Sequence, residues 1–164
     1  MTVASSTQSS ILQHISFSLS GEVQGMILTT QLTETINLEL GQIVQIPDCP
    51  SAVVGVCGWR GEVLWLVDLA YALGLSPLLG TDYQSAKCSL LRVSVNQQAF
   101  GVLVAQVGQL VRCDRQDIIP EAPSQLEPTA QALIAGQFSS SQGKTFLCIN
   151  LEALLETLRD QSLG

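Results

Sequence analysis

The chain has 164 residues, of which 46% are apolar and 13% charged, with a formal net charge of −7 at neutral pH. This balance excludes intrinsic disorder, which requires low hydrophobicity and dense charge. Seven basic residues without a basic run exclude nucleic-acid binding by phosphate neutralisation, and an acidic chain gains nothing electrostatically at an anionic membrane.

Residues 1–10, MTVASSTQSS, lack both a positive start and an apolar stretch, so they predict a mobile tail rather than a secretion signal, ahead of one domain over 11–164. Ile15, Phe17 and Leu19 alternate with polar residues and predict a half-buried strand. Ser20 to Gly25 turns the chain, and Met26 to Leu32 returns as the second strand of a hairpin. Pro47 and Pro50 precede Ala52 to Cys57, a short apolar run that reads as a helical turn or a strand. The turn GWRG leads into a strand from Glu62 to Val67. Leu64 and Leu66 lie on one face of it and Val63, Trp65 and Val67 on the other, as in a barrel wall or between packed layers. The most apolar run, Val63 to Leu75, contains Asp68 and is too short to cross a bilayer.

In the second half Leu91, Val93 and Val95 alternate with Arg92 and Ser94. Asn96 to Gln98 turns, and Phe100 to Val107 returns. Pro120, Pro123 and Pro128 break up a loop or short helical region. A helix over 151–160 closes the chain, with Asn150 placed to cap it and Leu151, Leu154, Leu155 and Leu158 on one face.

Two stretches repeat one another. GEVLWLVDLAYAL from Gly61 and GKTFLCINLEALL from Gly143 match at an offset of 82, pairing Leu64 with Phe146, Trp65 with Leu147, Val67 with Ile149 and Asp68 with Asn150. A weaker echo at an offset of 76 pairs Phe17 with Val93, Leu19 with Val95 and Gly25 with Gly101. The pattern predicts two similar strand-rich lobes, one over about 20–80 and the other over about 87–155, the latter with room for the N-terminal strand.

Enzyme chemistry finds little support. Gly143-Lys144-Thr145 lacks the earlier glycine of a phosphate loop and leads into a strand, so it reads as a hairpin turn. His14, the one histidine, reads as an exposed strand-end residue. The five cysteines (Cys49, Cys57, Cys88, Cys113, Cys148) form no CxxC pair; they predict free, core-packed thiols in a reducing cytoplasm and no metal site. Asp114 and Asp117 lie in a solvated stretch, Glu34 and Glu39 flank a strand-like segment, and Asp68 reads as a helix cap because Asn150 replaces it in the repeat. Arg60, held between glycines on the GWRG turn, is the residue best placed to present a charge to a partner.

The segment IPDCPSAVVGVCGWRGEVLWLVDLAYALG, from Ile46, closely resembles the signature of CheW-like domains: a Pro segment, a Gly, an Arg-Gly turn, a hydrophobic strand and a Asp-Leu step. FSLSGEVQGMILTTQLTE resembles the family's opening hairpin, FGVLVAQVGQLV a strand of its second lobe, and LIAGQF through INLEALL its closing strand and helix. Gly58 stands where the family usually has Asn, Trp59 replaces a smaller apolar residue, and Trp65 is large for its position. The resemblance implies a mostly β fold of two SH3-like five-stranded β-barrel lobes with a short C-terminal helix. It also implies a non-enzymatic, cofactor-free cytoplasmic adaptor recruited to receptor arrays. Such an adaptor couples chemoreceptor cytoplasmic tips to the regulatory domain of a histidine kinase in chemotaxis, phototaxis or type IV pilus motility. The implied receptor contacts are Leu32, Glu34, Gly55, Arg60, Gly61, Gly101 and Val107. The competing reading, a small-molecule-binding β-barrel sensor, needs a cavity inside a lobe, where Trp65, Leu66, Phe146 and Leu147 are expected to fill the space.

Overall fold

The computed structural model describes residues 10–37, 39–49, 51–78 and 88–163; all of the expected N-terminal tail except Ser10 lies outside these, as does Pro50. Ten strands run in the order β1 (Ile11–Ser18), β2 (Gln24–Leu28), β3 (Leu32–Asn37), β4 (Val53–Trp59), β5 (Glu62–Asp68), β6 (Ser89–Val95), β7 (Gln98–Val104), β8 (Gln106–Asp114), β9 (Ile134–Ser139) and β10 (Thr145–Ile149). Among the described residues they are accompanied by the α-helices α1 (Leu69–Ala72), α2 (Pro128–Gln131) and α3 (Leu151–Leu163). The run from Met26 to Leu32 is broken by a 3-10 turn at Thr29–Gln31, and the run from Phe100 to Val107 is divided at Ala105 between β7 and β8.

The strands form two five-stranded sheets, β8-β1-β2-β10-β9 (barrel one) and β3-β6-β7-β5-β4 (barrel two). If β1–β5 and β6–β10 are the two copies of the repeat, both barrels have the same internal order, including a parallel pair, β2 with β10 and β7 with β5. Each barrel therefore combines the first hairpin of one copy with the last three strands of the other. The expected lobes at about 20–80 and 87–155 do not follow the sheets: β2 pairs with β10, and β6 and β7 join β3–β5. Alternation in a strand sets which face is buried but not which copy supplies its neighbour.

The offset of 76 also needs a correction. β6 and β7 are joined by Asn96-Gln97 alone, a shorter loop than that between β1 and β2. Ser16 pairs with Met26 where Arg92 pairs with Gly101, so the counterpart of Gly101 is Met26, and Gly25 matches Phe100. A methionine fills one barrel at the point where Leu66 and Leu90 close over Gly101 in the other.

Packing divides into three clusters. The largest lies between the barrels, where Phe17, Ile27, Val67, Leu91, Val93, Phe100 and Val102 meet Leu151 and Leu154 of α3. Ile36, Cys57, Leu64, Leu66, Leu90 and Leu103 fill barrel two, and Met26, Cys113, Phe146 and Cys148 fill barrel one. Leu64 and Leu66 thus share the interior face that their alternation predicts. Of the side chains expected to fill the barrels, Leu147 lies between them instead, and Trp65 is 46% exposed.

His14 is a further correction. It is buried, on the face of β1 that looks into barrel one, with Nδ1 4.0 Å from Cys113 Sγ. Its counterpart in barrel two is Leu90, by the same pairing that matches Ser16 with Arg92. Burial disfavours the imidazolium and pulls its pKa below the ordinary 6.5, against a smaller opposing effect from the Val111 backbone. A depressed pKa means that the unfolded chain takes up a proton before the native one does. His14 therefore removes stability as pH falls below 6.5, by at most about 1.4 kcal/mol per pH unit until the native pKa is reached. His14→Leu, which installs the side chain of the other barrel, is expected to flatten this difference. Urea unfolding of both proteins at pH 7.5 and 5.5 checks it, and equal pH sensitivity would show that His14 charges freely in the native state.

Candidate functional site

β3 and β4 are the two edges of the second sheet, and side chains join them at one end of barrel two. Trp59, the last residue of β4, donates its Nε1–H to Glu34 Oε1 on β3 at 2.9 Å. A bulge makes this possible. Leu32 pairs with Val93 and Glu34 with Arg92, so Thr33 is the extra residue. Residues two apart on a regular strand share a face; the bulge instead turns Leu32 to the core between the barrels and Glu34 toward the barrel mouth.

Arg92 occupies that mouth. Its Nη2 donates to Glu62 Oε2 at 2.6 Å, and its Nη1 lies 3.8 Å from Glu34 Oε1. The Arg92 side chain is only 18% exposed, and its buried Nε has no hydrogen-bond partner. Arg92 therefore sits on the same inward face as Leu90, where strand alternation had placed it among outward polar residues. The carboxylates of Glu34 and Glu62 offset the desolvation of its guanidinium.

The β4–β5 connection has two residues, Arg60 and Gly61, between the paired Trp59 and Glu62. Both have positive φ, 51° and 82°, the geometry of a type I′ hairpin. Glycine suits the second position. The first favours Asn, and an arginine there is held in a conformation that long side chains rarely adopt. The Arg60 side chain is 72% exposed; its Nη2 lies 3.3 Å from Glu34 Oε2, and its guanidinium carbon sits 5.6 Å from the centre of the Trp59 ring. An ion pair this exposed contributes at most about 1 kcal/mol. Folding thus gives little reason for arginine at this position.

The structure brings together Glu34, Arg60 and Gly61 of the seven expected contact residues. Leu32 and Val107 occupy equivalent positions in the two barrels, opposite Val93 and Phe17, and both are partly buried at margins of the core between the lobes. Gly101 is buried among Leu66 and Leu90 inside barrel two and Gly55 is buried against the Val44 backbone, and close packing accounts for each. Trp59, Arg92 and Glu62 belong to the site, and sequence reasoning assigned them no place in it. The available signal was Arg92 standing two residues from Leu90 on one strand face.

Elsewhere the chemistry is quiet. Burial raises the thiol pKa of Cys57, Cys88 and Cys113, and pushes that of Cys148 up to about 12 with help from nearby Cys113, so these sulfurs are poor nucleophiles. Among the described residues no three His, Cys, Asp or Glu side chains are grouped to hold a metal ion, and no helix is long and apolar enough to cross a membrane. Gly143 lies in the β9–β10 hairpin turn at φ 86°, closed by the Lys144 carbonyl accepting from Ser140 N–H. Asp114 caps the 3-10 turn Arg115–Asp117 through Gln116 N–H and accepts from Ser10 Oγ.

Comparison with known proteins agrees with this architecture. The crystal structure of the scaffolding protein TtCheW from Thermoanaerobacter tengcongensis superposes with a TM-score of 0.70 over 85% of this chain and 88% of that one, at 21% sequence identity. A search of curated protein sequences returns no significant match. The family model of the CheW-like domain matches residues 13–159. With nearly the whole described chain inside that match and both five-stranded barrels in place, the protein belongs to the CheW-like domain family.

Proposed function

We propose that this protein is a non-enzymatic adaptor that couples the cytoplasmic tips of chemoreceptors to the regulatory domain of a histidine kinase. In this reading the receptor surface is the Glu34–Trp59–Arg60 end of barrel two together with the Leu32 and Val107 margins. The observation that carries it is Arg60: a highly exposed guanidinium in a left-handed turn position, steadied by Glu34 and the Trp59 ring. A residue that the turn itself does not favour points to selection for contact rather than for stability.

Two substitutions separate contact from folding. Arg60→Asn installs the residue that a type I′ turn prefers and is expected to hold or slightly raise the melting temperature. Arg60→Glu reverses the charge beside Glu34 at the same exposed site. Both are expected to remain folded and to lose capture of a receptor-tip fragment, the reversal by tenfold or more, since like charges across an interface are strongly unfavourable. Wild-type capture by Arg60→Glu would remove this end of barrel two from the receptor surface.

A further inference from the structure

The two barrels have equivalent ends, and only one is sealed. Barrel two is closed by Arg92 between Glu34 and Glu62. The counterpart of Arg92 is Ser16, since each faces the same position on the neighbouring strand. Leu110 pairs with Ile15 as Thr35 pairs with Leu91, so Gln109 stands where Glu34 does. The offset of 82 puts Lys144 at the position of Glu62 and Gln142 at that of Arg60.

These exchanges empty the end of barrel one and change its charge. With serine in place of arginine, a pocket of about 480 Å³ opens, lined by Ser16, Gln109, Gln142, Lys144, Arg112 and Phe146 among others. Ser16 is buried, and its hydroxyl donates to the Gln109 carbonyl at 2.7 Å, so its small side chain is fixed against the wall. Gly108 at the neighbouring bulge leaves room for it; a Cβ there would stand 2.7 Å from Ser16 Oγ. The end of barrel two balances two arginines against two glutamates. The lining of the barrel-one pocket includes Arg112 and Lys144 and no acidic residue, in a chain of net charge −7. What the pocket lacks, relative to its twin, is the carboxylates.

We propose that the open end of barrel one binds a carboxylate, with Lys144 as the charge partner and the glutamine amides as neutral donors. The carboxylate comes either from a free small organic acid or from an acidic side chain of a bound polypeptide. The inference does not rest on the receptor reading, whose charged contacts lie at the end of barrel two.

Amide-resolved NMR titrations test it on the full chain. Succinate probes the free acid, and an N-acetylated, C-amidated triglutamate peptide probes acidic side chains, each against sodium chloride at matched ionic strength. Saturable shifts at Ser16, Gln109 and Lys144 with one probe but not with chloride are expected, and the responding probe identifies the source. Lys144→Glu is expected to weaken that binding by about tenfold or more. Lys144 is exposed on a hairpin turn, so the variant keeps the fold, which its unperturbed barrel-two amides verify. Absence of saturable shifts with both probes, identical shifts with chloride, or undiminished binding by Lys144→Glu would each overturn the proposal.

Discussion

Gly55→Ala is expected to lower the unfolding free energy by about 3 kcal/mol or more, because the added methyl group meets backbone and the backbone angle is one that alanine resists. Gly55 has φ 143°, and a Cβ on it would lie 2.2 Å from the Val44 carbonyl oxygen, 2.9 Å from its carbon and 3.2 Å from Gln45 Cα. Those atoms have little freedom to retreat. Val44 exchanges two backbone hydrogen bonds with Val56, at 2.8 and 2.9 Å, so its segment is held antiparallel against the outer edge of β4. The register of β4 against β5 shifts between Val53 and Gly55, so a bulge with Val54 as its extra residue adjoins this contact. Gly101→Ala provides the contrast. A Cβ there would also come too close, at 2.6 Å, but to Leu66 Cδ2 and Leu90 Cδ1, the ends of side chains that can rotate. Its expected cost is about 1–2 kcal/mol, that of mild overpacking. Urea unfolding of both variants tests the ranking, and a Gly55→Ala midpoint equal to that of the parent would mean that the Val44 backbone is not held against Gly55 as described. Both glycines were expected among the receptor contacts. Their packing gives a structural reason for glycine at each, so any loss of coupling in Gly55→Ala is to be read beside its stability.

The features legible in the sequence were those set by local periodicity and by the repeat. Leu64 and Leu66 faced inward together, Asn150 capped the closing helix through Ala153 N–H, and Gly143 formed a hairpin rather than a phosphate loop. The features that escaped it depend on long-range pairing. Nothing local in β1 states that its second neighbour is β8 rather than another strand of its own half, because the alternation of Ile15 and Phe17 is satisfied by either partner. Inward polar residues were the second blind spot. His14 and Arg92 sit on interior faces, which strand alternation assigns to apolar residues, and only the cluster around each shows how it is tolerated. The candidate site was half legible. Arg60 stood out by its turn and Glu34 through the family resemblance, but the hydrogen bond that joins Trp59 to Glu34 spans the two edges of a sheet and has no local trace.

Asp68→Ala is the second substitution with a large expected effect, about 3 kcal/mol, combining a lost helix cap with a second, partly buried amide left without its acceptor. The side chain is 1% exposed and uses both oxygens: Oδ1 accepts from Tyr71 N–H at 3.1 Å and Oδ2 from Leu78 N–H at 2.7 Å. The first bond starts α1. The second fastens the chain beyond α1, where Leu75 and Leu78 pack back on the core. Asn150, its counterpart in the repeat, accepts from Ala153 N–H at 3.0 Å and begins a helix of 13 residues that continues away from the strand. One acceptor suffices there, whereas the short α1 and its returning chain use two. Asp68→Asn separates the two functions, because an amide offers one oxygen and turns N–H groups toward the other donor. It is expected to keep the cap, lose the Leu78 bond and cost about 1–2 kcal/mol. Hydrogen exchange gives the sharper readout. In Asp68→Asn the Leu78 amide should lose protection while the Tyr71 amide keeps it, and in Asp68→Ala both should exchange faster. Equal protection of Leu78 in the parent and in Asp68→Asn would show that the cap alone explains the aspartate, leaving the difference between Asp68 and Asn150 without a structural cause.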